Sequence, residues 1–80
     1  MIFVFGSNLA GIHGAGAAKE AEENWGATHS VGDGRCGNSY AIPTKNRKLE
    51  TLKLRVIKTY VDEFIRYAKE NPSEIGRAHV

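Results

Sequence analysis

Apolar residues fall along this chain in three different rhythms. Ile2-Phe3-Val4-Phe5 is an unbroken β-branched and aromatic run stopped by Gly6-Ser7-Asn8. With no polar residue in it, the run predicts a short strand over 1–5, covered on both faces and so central in a sheet. From Ala15 the rhythm becomes helical: Ala17, Ala18, Ala21 and Trp25 share one face, Lys19, Glu20, Glu22 and Glu23 lie mostly elsewhere, and Gly26 is a natural stop. Residues 27–39 hold Gly32, Gly34 and Gly37 among polar neighbours, which predicts a loop with short strand pieces.

Ser39-Tyr40-Ala41-Ile42 predicts a second strand, with Pro43 at its end because proline cannot donate to a ladder. Lys45-Asn46-Arg47-Lys48 follows as a solvated turn. The third rhythm is the clearest. Leu52, Val56, Tyr60 and Phe64, with Ile57, Val61, Ile65 and Ala68, form an apolar stripe over 52–69, opposite Lys53, Arg55, Lys58, Asp62, Glu63 and Arg66. Asn71-Pro72 ends that helix. Tyr60, Phe64 and Tyr67 lie at helical spacing and are expected to pack the core and its boundary.

Strand, Gly-rich loop, helix, loop, strand, helix is an α/β order, and a parallel sheet flanked by helices follows from it. Eighty residues support one domain with one core. A net charge of +2, with a quarter of the residues charged, demands neither nucleic acid nor an acidic membrane. The single Cys36 cannot form an intramolecular disulfide, and no apolar run is long enough for a signal segment or a membrane span. A soluble, cytoplasmic protein is expected.

Two predicted strands are few for this class. The final Ile75-Gly76-Arg77-Ala78-His79-Val80 is what ATC GGA AGA GCA CAC GTC encodes, a string that resembles a commonly used sequencing adapter whose next codon is a stop. The expectation is therefore a metagenomic reading frame in which residues 1–73 are the N-terminal part of one domain and 74–80 a non-native tail. Arg77 and His79 receive no functional weight.

The segment from Gly6 to Ala18 joins the end of a buried strand to the start of a helix, where ligands bind in open α/β sheets. Glycines let backbone N–H groups approach an anion, and a helix N-terminus adds free donors and partial positive charge. Asn8 offers both a donor and an acceptor, suited to the vicinal hydroxyls of a ribose. Two familiar phosphate loops fail. Gly11 is followed by Ile12-His13 rather than Lys and Ser/Thr, and Lys19 stands where the dinucleotide fingerprint needs Gly or Ala. The spacing leaves two readings open, a phosphate site and a tight turn with glycines for packing.

Asn8, followed five residues later by His13-Gly14-Ala15-Gly16, resembles the macrodomain motif, in which an asparagine precedes a short glycine run. The chain is most similar to small phage and bacterial macrodomain-like proteins, through Ile2-Phe3-Val4-Phe5-Gly6-Ser7-Asn8, His13-Gly14-Ala15-Gly16-Ala17-Ala18, Ser39-Tyr40-Ala41-Ile42-Pro43-Thr44-Lys45 and Tyr60-Val61-Asp62. The resemblance implies the N-terminal part of a three-layer α/β/α sandwich that binds ADP-ribose or a related nucleotide. In its hydrolytic members the asparagine contacts the distal ribose and helps place the attacking water, a catalytic role that would fall on Asn8. Gly14 and Gly16 would wall the distal ribose and phosphate.

The ligand-binding set expected is Gly6, Ser7, Asn8, Gly11, His13, Gly14, Ala15 and Gly16. His13 and Ala15 depart from the usual glycines, the acidic residue that contacts adenine in larger macrodomains has no counterpart, and the second phosphate loop would lie on a later strand. ADP-ribosyl hydrolysis would be an extension of this binding role in the intact protein, and it is not expected of the fragment. The alternative is a phage protein of macrodomain shape that serves structure or interaction without nucleotide binding, its partner a host or phage protein.

His13 could act as acid or base, but is expected as a partly exposed loop residue. His29, Asp33 and Cys36 lack the paired spacing of zinc ligands, so no metal and no cofactor is expected. Cys36 has no evident neighbouring base, and Arg35-Cys36 lies in a loop that could close over a ligand. Lys45, Arg47 and Lys48 read as a solvated surface, so nucleic acid is not an expected partner.

Overall fold

A computed structural model of the chain describes residues 2–79, and of 75–79 the backbone alone. Met1 and Val80, at the ends of the expected first strand and of the tail, lie outside the described residues. The elements in chain order are β1 (Ile2–Asn8), α1 (Gly16–Asn24), β2 (Gly34–Cys36), β3 (Ser39–Lys45), α2 (Leu54–Glu70), a 3-10 turn (Pro72–Glu74) and β4 (Ile75–His79). The strands form one mixed sheet in the order β2-β3-β1-β4, with β1 parallel to both β3 and β4 and β2 antiparallel to β3. This is an α/β fold, and β1 lies between β3 and β4, the latter formed by the segment expected to be a non-native tail.

Alternation along β1 feeds two cores. Phe3 and Phe5 are fully buried on the face that holds Ala21, Ala27 and Ala41, with Ala17, Ala18 and Trp25 packed against them. The Trp25 ring stacks on Phe3 at 5.3 Å. Ile2 and Val4 face the opposite way, into Tyr40 and Ile42 beneath Tyr60, Val61, Phe64 and Tyr67 of α2. A helix therefore covers each face of the sheet, and the aromatic residues of α2 are core and boundary packing. Tyr40 meets Phe64 at 5.0 Å and Tyr67 at 5.1 Å.

Three boundaries lie two or more residues from those the pattern predicts. β1 continues past Phe5 to Asn8, because Gly6 and Ser7 keep their pairing with Ile42 and Pro43. β3 passes through Pro43 to Lys45 instead of stopping there. Its pairing with β2 ends at Ala41, and that edge is next paired only past Pro43, at Thr44 and Lys45, so at Pro43 itself no N–H is needed there and proline is tolerated. Finally, α2 begins at Leu54 and not at residue 52, since Leu52 donates its N–H to the Thr44 carbonyl at 2.9 Å and closes the 45–51 turn. Among the described residues no helix is long and apolar enough to cross a membrane.

Candidate functional site

Because β1 and β3 are parallel neighbours, their carboxyl ends lie side by side. Ser7 pairs with Pro43 and, after a register irregularity, Asn8 with Lys45. Leu9 N–H then donates to the Lys45 carbonyl at 2.9 Å, and Thr44 Oγ1 donates to the Ser7 carbonyl at 3.2 Å. A cleft of about 640 Å³ opens at this end. Gly6, Ser7 and Asn8 line it from β1, Ile12, Gly14 and Ala15 from the loop, and Ala17 and Ala18 from α1. Thr44, Lys45 and Leu49 complete the lining.

The loop that follows β1 is held by Asn8. Its Nδ2 donates to the Ile12 carbonyl at 2.9 Å, and Ile12 N–H donates to Asn8 Oδ1 at 3.0 Å. This two-point clasp uses one donor and one acceptor of the carboxamide and leaves one N–H and one lone pair. Gly11 sits inside the clasp at φ +70°, where any Cβ would run into the Ser30 backbone.

A second loop, residues 28–32, supports the first. Ser30 N–H donates to the Gly11 carbonyl at 2.9 Å, and Ser7 Oγ donates to the Gly32 carbonyl. Gly32 comes so close to the Asn8 carbonyl that no side chain fits between them. His13 fastens the two loops. Its Nε2 lies 3.1 Å from the carbonyl oxygens of both Thr28 and Val31. Carbonyls only accept, so Nε2 carries the proton. The ring stands edge-on to Phe5 at 5.5 Å and is 3% exposed, with Nδ1 buried and without a hydrogen-bond partner among the described residues. His13 is thus buried where a partly exposed residue is expected, because two carbonyls remote in sequence receive its N–H.

α1 enters the cleft without a side-chain cap. Ala15 occupies the N-cap position, makes no capping hydrogen bond, and no acidic residue stands in the first turn. The first N–H groups of a helix have no intrahelical partner, so donors and partial positive charge are available where Ala15, Ala17 and Ala18 line the cleft.

Of the residues expected at a ligand, Gly6, Ser7, Asn8, Gly14 and Ala15 line the cleft, whereas Gly11, His13 and Gly16 do not. Thr44, Lys45 and Leu49 were not expected in it. Lys45 ends β3 rather than belonging to the exposed turn, a placement that parallel pairing of the two strands would have indicated. Arg35 does not line the cleft; it donates to Tyr67 Oη at 2.6 Å and pairs with Glu74 at 2.8 Å. Its neighbour Cys36 places Sγ 3.2 Å from Thr28 Oγ1. Among the described residues no three of His, Cys, Asp and Glu come together as metal ligands.

Fold and site together define an α/β protein with a cleft, lined by both polar and apolar residues, at the carboxyl ends of two parallel strands, where open α/β sheets bind ligands. No protein-family model matches the chain, and neither a curated protein nor a solved structure matches it.

Proposed function

We propose that this cleft binds the ribose and phosphate of an ADP-ribose-type nucleotide, and that the chain is a macrodomain-like module. The observation that carries the reading is the uncapped N-terminus of α1 opening on a cleft that Asn8 and Lys45 also line. Backbone donors and an ammonium group bordering one cavity suit a phosphate. The free N–H and lone pair of Asn8 suit one hydroxyl pair of a ribose.

Hydrolysis of an ADP-ribosyl linkage is the extension of this reading. Asn8 would hold a water by its remaining hydrogen-bonding capacity, and the helix terminus would stabilise charge developing near the phosphate. The test is calorimetric titration of ADP-ribose into the chain and into its Asn8→Ala variant. Heat of binding in the parent, weakened about tenfold or more in the variant, is the expected result. Absence of heat at high ligand concentration would reject the nucleotide reading in favour of a protein-interaction role.

A further inference from the structure

Among the described residues four large apolar side chains are exposed, and two of them belong to α2: Leu54 at 83% and Ile65 at 43%. Tyr60, Val61, Phe64 and Tyr67 of this helix turn towards the sheet, and Tyr67 is further engaged with Arg35 and Glu74. Leu54, Ile57, Ile65 and Ala68 belong to neither core cluster. With Val61 they recur along the helix at alternating steps of about three and four residues, which makes one apolar seam and is the spacing that packs one helix against another. No residue of α2 is fully buried.

On its solvent side the seam is bordered by Lys58 and Asp62, an exposed ion pair at 2.8 Å. Their placement decides what the seam fits. The midpoint between Leu54 and Ile65 falls between Thr59 and Tyr60, and the midpoint between Lys58 and Asp62 falls on Tyr60. An apolar pair and a pair of opposite charges therefore share one centre. A twofold axis there sets α2 antiparallel to the α2 of a second copy. Leu54 of each copy then lies beside Ile65 of the other, and Lys58 of each beside Asp62 of the other. A surface that complements itself in this way is what an isologous dimer requires. Parallel pairing would instead oppose lysine to lysine and aspartate to aspartate.

We propose that two copies of this chain associate through α2, antiparallel about Tyr60, with the apolar seam buried between them and the Lys58 and Asp62 charges closing its rim. Apolar burial supplies the affinity, and the rim charges fix the orientation. No residue of the seam lines the cleft at the ends of β1 and β3, so the dimer stands independently of the nucleotide reading.

Sedimentation equilibrium of the parent over a range of concentrations at low salt tests it. The parent should pass reversibly from the mass of one chain to that of two. Leu54→Glu and, separately, Lys58→Glu should each weaken dimerisation about tenfold or more, the first by placing charge in the seam and the second by facing like charges at both symmetric contacts. Lys58→Glu combined with Asp62→Lys should restore the parent's dimer, because the exchange leaves opposite charges facing. Both positions are exposed in the single chain, so each variant should keep the parent's circular dichroism. A parent that is monomeric at every concentration overturns the proposal, as does a dimer that Leu54→Glu leaves intact or a double exchange that restores nothing. A monomer that sediments with vesicles of anionic phospholipid would assign the seam to a membrane surface and overturn it too.

Discussion

Asn8 and Lys45 are cross-strand partners at the carboxyl ends of β1 and β3. A carboxamide and an ammonium group 37 residues apart in sequence thus border one cleft because the two strands run parallel. Arg47 and Lys48, only a few residues on, line no part of it.

This division predicts that the basic residues are not equivalent. Lys45→Met should weaken ADP-ribose binding by roughly 10- to 100-fold, the range for losing a charge-assisted hydrogen bond. The same change at Arg47 or Lys48 should leave affinity within about twofold, as expected of solvated charges that do not line the cleft. Titration at low and high salt checks the cause: the parent should lose affinity with salt more steeply than Lys45→Met.

Two glycines should separate folding from binding. A Cβ on Gly32 would collide with the Asn8 carbonyl, so Gly32→Ala should destabilise the fold by about 3 kcal/mol in urea unfolding. A Cβ on Gly14 meets open space inside the cleft. Gly14→Ala should therefore stay within about 0.5 kcal/mol of the parent yet reduce ADP-ribose affinity by filling the ligand's place.

Asp33 should set a pH dependence. Asp33 is an exposed residue, but partial burial of its carboxyl raises it from its ordinary value, and the negative charge of Glu63 adds to the effect. The folded state then binds this proton more tightly than the unfolded chain does, so ionisation costs stability. That cost is absent below the ordinary carboxylate value, grows as pH rises towards the raised one, and is complete above it. Asp33→Asn should accordingly raise the melting temperature at neutral pH, with the gain shrinking to nothing in acid. A gain independent of pH in a melting series would assign the effect to something other than charge.

The elements with strong local rhythm were legible in the sequence. β1, the alanine face of α1 and the aromatic stripe of α2 all do what their periodicity implies, because burial on a sheet is a local requirement met residue by residue. The site was legible only where it lies on the first loop. Lys45 reads as part of a charged turn until the pairing of β3 with β1 is known, and the left-handed Leu49, at φ +64°, carries no local signal, since its conformation comes from Asn46. His13 was hidden for a similar reason: its partners, Thr28 and Val31, lie 15 and 18 residues away. Pro43 misled because proline is a reliable stop only where both strand edges are paired.

The alternation along β1 also sorts side chains by volume. Its phenyl rings, Phe3 and Phe5, meet a wall made mostly of alanines, while its smaller Ile2 and Val4 meet a wall of rings from Tyr40 and α2. Sliding or inverting this strand by one position would press ring against ring on one side and leave voids on the other, although every residue concerned is apolar. Polarity alone therefore does not tell the two faces apart; size does. The central strand thereby acts as a key with two unlike edges, fixing which helix belongs on which side and excluding the inside-out arrangement that a merely hydrophobic strand would permit.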